Sequence, residues 1–360
     1  MSALPYVAIV GDVAKVGLCV TLVTNSLLIY ITFYHIKNIT RAYKFLIIVL
    51  AEIGVIFSIL EIFIHIFLHS YNASFAYFSI DSMFGASKNL RSVLVAIYAM
   101  IYQLIISLIA IQFVYRYWIM IGSQQVKYFH GRNILFWVGY LSVCSLLWLL
   151  ALSQCLPDAS SMNYLRREFA ECYDEDIEDV PIFLFVAYRL DQNNTRTLRV
   201  KTIIAVSILA VDLLFQYIVI VFCGVKIRAK TKELVSMTSS KNHRIHDQLF
   251  KTLVIQITAP SLFYHIPVFA MYIVLYSDLE LSFPSGVMVS FFSVYPAIDS
   301  LILMYMVTEY KQVMKKFLNK QFQCIADRFK THESNETTGH SGAMSSEVRM
   351  IDLQNVSDVF

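Results

Sequence analysis

The chain has 360 residues, 57% hydrophobic and only 15% charged, with a mean hydropathy of +0.59. This balance excludes a compact water-soluble body and points to a polytopic membrane protein. A net charge of +3, from 29 basic and 26 acidic residues, carries no nucleic-acid signature, so the placement of the charges matters more than their sum.

In chain order, seven long apolar segments are expected at about 11–34, 45–68, 92–116, 134–156, 202–224, 249–276 and 286–308, each long enough to cross a ~30 Å hydrocarbon layer as a helix. The first ten residues lack the basic start and small-residue cleavage site of a signal peptide, so no leader is expected to be removed. The connections after segments one, three and five, together with the C-terminal tail, hold 19 Lys and Arg, against eight on the opposite side. Six of those eight lie in the long 157–201 connection beside nine acids. The bias places the N-terminus outside and the tail in the cytoplasm.

The first connection past the second segment carries the sequon Asn72-Ala73-Ser74, and a second, Asn193-Asn194-Thr195, falls in the 157–201 loop. Both are glycosylation candidates on the outer side. Within the second segment, Glu61 and His65 stand four apart, and His69 follows at the same spacing. On a helix these would share one face. No further ligand type converges with them in the sequence, so no metal site is expected.

The third segment organises the chain. Between Arg91 and Arg116 lie 24 uncharged residues, a helix of roughly 36 Å. Tyr98, Tyr102, Gln103, Ser107 and Gln112 interrupt its apolar surface, and polar groups at that depth face protein or a cavity. It closes on Tyr115-Arg116-Tyr117-Trp118, the composition of a membrane interface. Its outer half is expected to meet a ligand and its inner end a signalling partner.

The loop from 157 to 201 contains the acidic run Glu171 to Asp179 and the basic cluster Arg196, Arg199 and Lys201. It reads as a solvated surface or as a lid over a vestibule. Cys155 and Cys172 share this oxidising side and are the candidate disulfide pair. In the sixth segment Pro260 and Pro267 lie seven apart and bracket Tyr264 and His265, so both kinks point the same way. The seventh holds Tyr295-Pro296-Ala297-Ile298-Asp299, an acid one turn from a proline that frees a backbone carbonyl. Tyr295, Pro296 and Asp299, with Pro260 and Pro267, form the expected activation switch.

Acids inside a bilayer cost about 2.5–3.5 kcal/mol or more at mid-depth, so Glu52, Glu61, Asp212 and Asp299 each need a reason. Glu61, His65, Tyr98, Tyr102, Tyr264, His265 and Tyr272 are the candidate ligand pocket. Beyond the last segment, apolar residues at helical spacing between Lys311, Lys315, Lys316 and Lys320 predict an amphipathic membrane-surface helix over 309–330. A disordered cytoplasmic tail over 331–360 follows. No catalytic motif is present: Asp212 and Asp299 lack the Gly-x-Gly-Asp setting of intramembrane proteases, and there is no P-loop or Gly-x-Ser-x-Gly. The seventh segment has no lysine for a retinal Schiff base, and no cofactor is expected.

Asn25-Ser-Leu-Leu-Ile-Tyr30, Ala42-Tyr43-Lys44, Phe113-Val-Tyr-Arg116-Tyr, Phe129-His-Gly131, Asp179-Val180-Pro181, Gln248-Leu249-Phe250-Lys251 with Gln256 and Pro260, and Tyr295-Pro296-Ala297-Ile298-Asp299 occur in an order and spacing that resemble one family. It is that of the nematode seven-transmembrane chemoreceptors of the Str type, relatives of the diacetyl odorant receptor. This chain has Arg41 where glycine is usual, Glu61 where Asp is usual, and Ser300 where proline follows the final acid.

The resemblance implies an all-α membrane protein, a seven-transmembrane bundle of the G-protein-coupled kind with residues 1–308 as the receptor domain. It further implies a small environmental ligand, a heterotrimeric G protein partner, and a place in the plasma membrane of sensory-neuron cilia. Tyr115, Arg116 and Tyr117 would face the G protein, with no acid before the arginine. A peptide or pheromone receptor would share this architecture, and an odorant-gated channel has seven spans with its N-terminus inside, against the charge bias.

Overall fold

The computed structural model describes residues 4–80, 87–190, 196–237, 241–276, 282–284, 286–317, 319 and 323. The chain divides into two units, Met1–Lys311 and Gln312–Phe360. The first begins with α1 (Leu4–Tyr34), α2 (Arg41–Phe63), the hairpin β1 (Ile66–Tyr71) and β2 (Ser74–Ser79), α3 (Lys88–Met120) and α4 (Leu135–Ser153). It continues through α5 (Ala159–Tyr173), β3 (Ile182–Val186), β4 (Tyr188–Leu190), β5 (Arg196–Leu198) and α6 (Val200–Met237). The last part is α7 (Lys241–Pro260), a π-helical stretch (Ser261–His265), α8 (Ile266–Tyr276), β6 (Ser282–Pro284) and α9 (Gly286–Met306).

Five of the helices are long and apolar enough to cross a membrane among the described residues, and Val294–Met306 is a shorter apolar one. They pack as a bundle around α3, which touches α2, α4, α6 and α7. The share buried within the protein is 72% for α3 and 22% for the span holding α4, so α3 is the central post and α4 turns most of its surface to lipid. α1 closes the ring by packing on α2 and α9.

The second expected segment, 45–68, is corrected by the structure. α2 ends at Phe63 and the chain turns into a hairpin, because Ile64 to Ser79 is rich in β-branched and aromatic residues that suit a buried strand. Asn72 makes the reversal at φ +46, a left-handed conformation that asparagine tolerates, while Ser74 Oγ donates to the Tyr71 carbonyl at 2.6 Å.

The acids Glu171, Asp174, Glu175, Asp176, Glu178 and Asp179 are exposed, as a solvated surface requires, but the 157–201 connection around them is folded. It supplies α5 and β3, and β3 joins a four-stranded antiparallel sheet of order β3-β2-β1-β6. Both faces of this sheet are covered. On the outer side Phe67, Phe78 and Leu184 pack beneath Leu165, Phe169 and Tyr173 of α5. On the inner side Phe75 stacks on Phe185, centroids 4.1 Å apart, and meets Tyr272 of α8 at 5.9 Å. Tyr77 Oη donates to the Val95 carbonyl of α3 at 3.4 Å. The sheet is therefore a lid over the end of the bundle that the charge bias assigns to the outside. The acidic run is tied down beside it, with Arg91 donating to the Asp179 carbonyl at 3.0 Å and Lys88 to that of Glu178.

Of the expected surface helix over 309–330, residues 309–317, 319 and 323 are described, and all are helical. The tail 331–360 lies outside the described residues.

Candidate functional site

Among the described residues, two small cavities are lined in the middle of the bundle, one above the other, each about 10 Å³ and thus room for roughly one water molecule. Phe57, Tyr102, Ile105, Ile106, Ile109, Ile257, His265 and Tyr295 line the upper one. The lower one is bounded by Asn25, Leu50, Ala51, Gly54, Ile105, Tyr295, Pro296 and Asp299. Ile105 and Tyr295 belong to both, so a side chain of the expected switch forms the floor of the expected pocket.

The sequence-predicted pocket residues divide. Tyr102 and His265 line the upper cavity with their rings 5.5 Å apart, and Tyr98 stacks on Phe57 at 4.4 Å just above. Tyr272 packs under the sheet instead. Glu61 is fully buried near the end of α2. His65 lies beyond that helix and against α1, where a Cβ on Gly11 would stand 3.5 Å from its Nε2. His69 faces α5, its Nδ1 within 3.2 Å of Tyr173 Oη. The expected common helical face of Glu61, His65 and His69 is thus broken by the helix end. The side chains of Tyr264, Pro260 and Pro267 lie outside the described residues.

Sequence reasoning missed Phe57, Ile105, Ile106, Ile109, Ile257 and Tyr217. The spacing of 98, 102, 105 and 109 along α3 marks one helical face and could have found two of them. Tyr217 of α6 could not be found this way. Its hydroxyl contacts His265 Nδ1 at 2.6 Å and Ser261 Oγ at 2.5 Å, fixing the π-helical stretch. That widened turn sits between the two expected prolines, and such π turns recur at functional sites.

Below, Tyr295 Oη donates to the Gln256 carbonyl of α7 at 3.3 Å and reaches Asp299 Oδ1 at 3.5 Å. Asn25 donates to the Ala51 carbonyl at 2.9 Å and accepts from Ser300 Oγ. Pro296 lies inside α9, so the polar network surrounds the helix's weakest point. Asp212 finds its reason elsewhere, accepting from Trp148 Nε1 at 2.9 Å between α6 and α4. Glu52 is exposed on α2, and nothing in the structure explains an acid there.

At the inner end Arg116 is 4% exposed, its guanidinium 4.1 Å from the centre of the Tyr43 ring. Tyr115 stacks on Tyr43 at 5.6 Å and shares a hydrogen bond of 2.5 Å with Thr40. Tyr117 turns to Phe222 of α6, ring centres 6.0 Å apart. Beside them Gln248 Nε2 donates to Thr308 Oγ1 at 2.6 Å and its Oε1 accepts the Thr308 amide at 3.1 Å. This pair latches α7 to the end of α9.

Two further expectations meet the structure here. Cys155 and Cys172 are both free thiols, because Cys155 lies under β3, its carbonyl accepting from Leu184 at 2.8 Å, while Cys172 faces Glu168 on α5 at 3.4 Å. Asn72 occupies the hairpin turn, and Asn193 lies outside the described residues.

A family profile described as serpentine type 7TM GPCR chemoreceptor Str matches residues 11–315. The chain belongs to this Str family. It is 37% identical over 302 residues to the G-protein coupled receptor str-33 of Caenorhabditis elegans, covering 83% of this chain and 88% of that one. It is 23% identical to the serpentine receptor class r-10 of Caenorhabditis briggsae, over 92% of this chain and 96% of the relative. Among solved structures, squid rhodopsin matches with a TM-score of 0.57 at 13% identity, over 90% of this chain and 83% of that chain, a likeness of fold alone. The Str member described here is therefore a multi-pass G-protein-coupled receptor of the chemoreceptor class and not an enzyme. The outer sheet is an addition to the all-α bundle that its sequence suggested.

Proposed function

We propose that this receptor is an olfactory-type chemoreceptor that admits a small, mainly apolar environmental molecule to the upper cavity and activates a heterotrimeric G protein at its inner end. The observation that supports this reading is Tyr295, which lines that cavity and hydrogen-bonds both α7 and Asp299 beside the Pro296 joint. A ligand that enlarges the closed cavity displaces Tyr295, and displacement favours an alternative arrangement of α7 against α9. Arg116 is held on Tyr43 in the conformation seen, so exchange with the G protein follows its release. Lipid surrounds the bundle, and the sensory-neuron ciliary membrane is the proposed site of action.

Calcium imaging of cells expressing the chain, against a panel of volatiles, soluble metabolites and peptides, tests the reading. Responses to small volatiles that vanish in Tyr102→Ala support it. Responses confined to peptides, or surviving Tyr102→Ala and His265→Ala unchanged, contradict it.

A further inference from the structure

No metal is expected from residue spacing, yet the fold brings three donors of different type to one place in the outer lid. His69 comes from β1, while Glu168 and Cys172 stand one turn apart on the face of α5 that covers the sheet. Their donor atoms all lie within 4.8 Å of one another. Cys172 Sγ is 3.4 Å from Glu168 Oε1, and His69 Nε2 is 3.6 Å from the same oxygen.

Tetrahedral zinc takes sulfur at ~2.3 Å and nitrogen or oxygen at ~2.0–2.2 Å, which sets neighbouring ligands roughly 3.3–3.8 Å apart. Both separations, 3.4 and 3.6 Å, fall in that interval. The second is too long for a hydrogen bond, and the His69 ring is fully buried with no hydrogen-bond partner for Nε2 among the described residues. Its other nitrogen contacts Tyr173 Oη at 3.2 Å, the outer-shell partner that metal-bound imidazoles keep and that fixes which nitrogen faces the ion.

From this arrangement we propose that His69, Glu168 and Cys172 form a zinc site that fastens α5 to the outer face of the sheet. A thiolate and a carboxylate balance the charge of a divalent ion, and a mixed sulfur, nitrogen and oxygen set selects zinc over calcium or magnesium. The Glu168 side chain is 16% exposed, so the ion and a fourth, water ligand reach the site from its edge.

The full-length receptor, purified in detergent and stripped with a chelator, is dialysed against zinc chloride and its bound zinc counted. A parallel sample takes cobalt(II), whose thiolate charge-transfer absorption reports sulfur ligation. The expected result is about one zinc per chain and a charge-transfer band. Cys172→Ser loses the band, and His69→Gln and Glu168→Gln bind zinc at least ~10-fold more weakly, while His130→Gln on the inner side behaves as wild type. Cys172→His keeps a ligand, so it retains zinc without the band and separates loss of ligation from loss of fold. A wild-type protein that holds no zinc, or His69→Gln and Cys172→Ser variants that hold as much as wild type, would overturn the proposal.

Discussion

Gly54 of α2 and Pro296 of α9 approach so closely that a Cβ on the glycine would stand 2.9 Å from the proline Cβ and 3.1 Å from Asn25 Nδ2. The joint of α9 is thus seated in a notch that only a residue without a side chain leaves open. Gly54→Val should push α9 away, an overpacking that costs about 1–3 kcal/mol. Thermal unfolding in detergent will show a lowered midpoint, and basal signalling will change with it. An unaltered midpoint would mean the two helices are not held against each other.

The latch at Gln248 and Thr308 makes a different demand. Two hydrogen bonds at about 0.5–1.5 kcal/mol each hold α7 to Thr308, just past α9, in the arrangement seen, and ~1.4 kcal/mol is a tenfold change in population. Gln248→Leu should therefore raise ligand-independent signalling several-fold in a reporter assay, with Thr308→Val showing a smaller rise because its amide remains. Basal signalling equal to wild type in both would remove the latch from the mechanism.

Tyr217→Phe removes the hydroxyl that His265 and Ser261 share. His265 would then lose its orientation toward the upper cavity. A dose–response curve for any compound active on the wild type should move about 5–10-fold to higher concentration, the value of roughly one hydrogen bond. Expression at the surface should not change.

At the start of α5, Asp158 accepts the Ser161 amide at 2.9 Å and pairs with Arg199. Burial alone would raise its carboxyl, but the Ser161 hydrogen bonds and the nearby Arg199 charge prevail and hold it below the ordinary carboxylate value. The folded form thus favours the charged acid. Its contribution is present above the unfolded-state value and is lost as pH falls through the lowered one. Asp158→Ala should cost about 1 kcal/mol of lid stability and flatten that acid-side loss, as hydrogen exchange of α5 across pH will record.

How much of this was legible before the structure follows from the physics of each part. The charge-free length of α3, Pro296 and the acid Asp299 are local signals, and the fold buries most of α3 and Asp299 inside the bundle and keeps Pro296 within α9. The lid was not legible, because Ile64 to Tyr71 is apolar enough to continue a helix and only its β-branched and aromatic content, with the asparagine turn, argues for a strand. Charged residues on the exposed side of α5 masked its apolar stripe of Leu165, Phe169 and Tyr173. His69 and Cys172 meet only because the hairpin folds back under that helix, a contact no spacing rule reaches.

Coupling of the inner end to a G protein is the claim on which the account rests, and it can be measured without knowing the ligand. Purified Gln248→Leu receptor in lipid discs, mixed with heterotrimeric G protein, should accelerate nucleotide exchange over the wild type. Arg116→Ala in the same background should return exchange to the rate of the G protein alone. Exchange that stays high without the Arg116 side chain, or that Gln248→Leu never raises, would contradict the account.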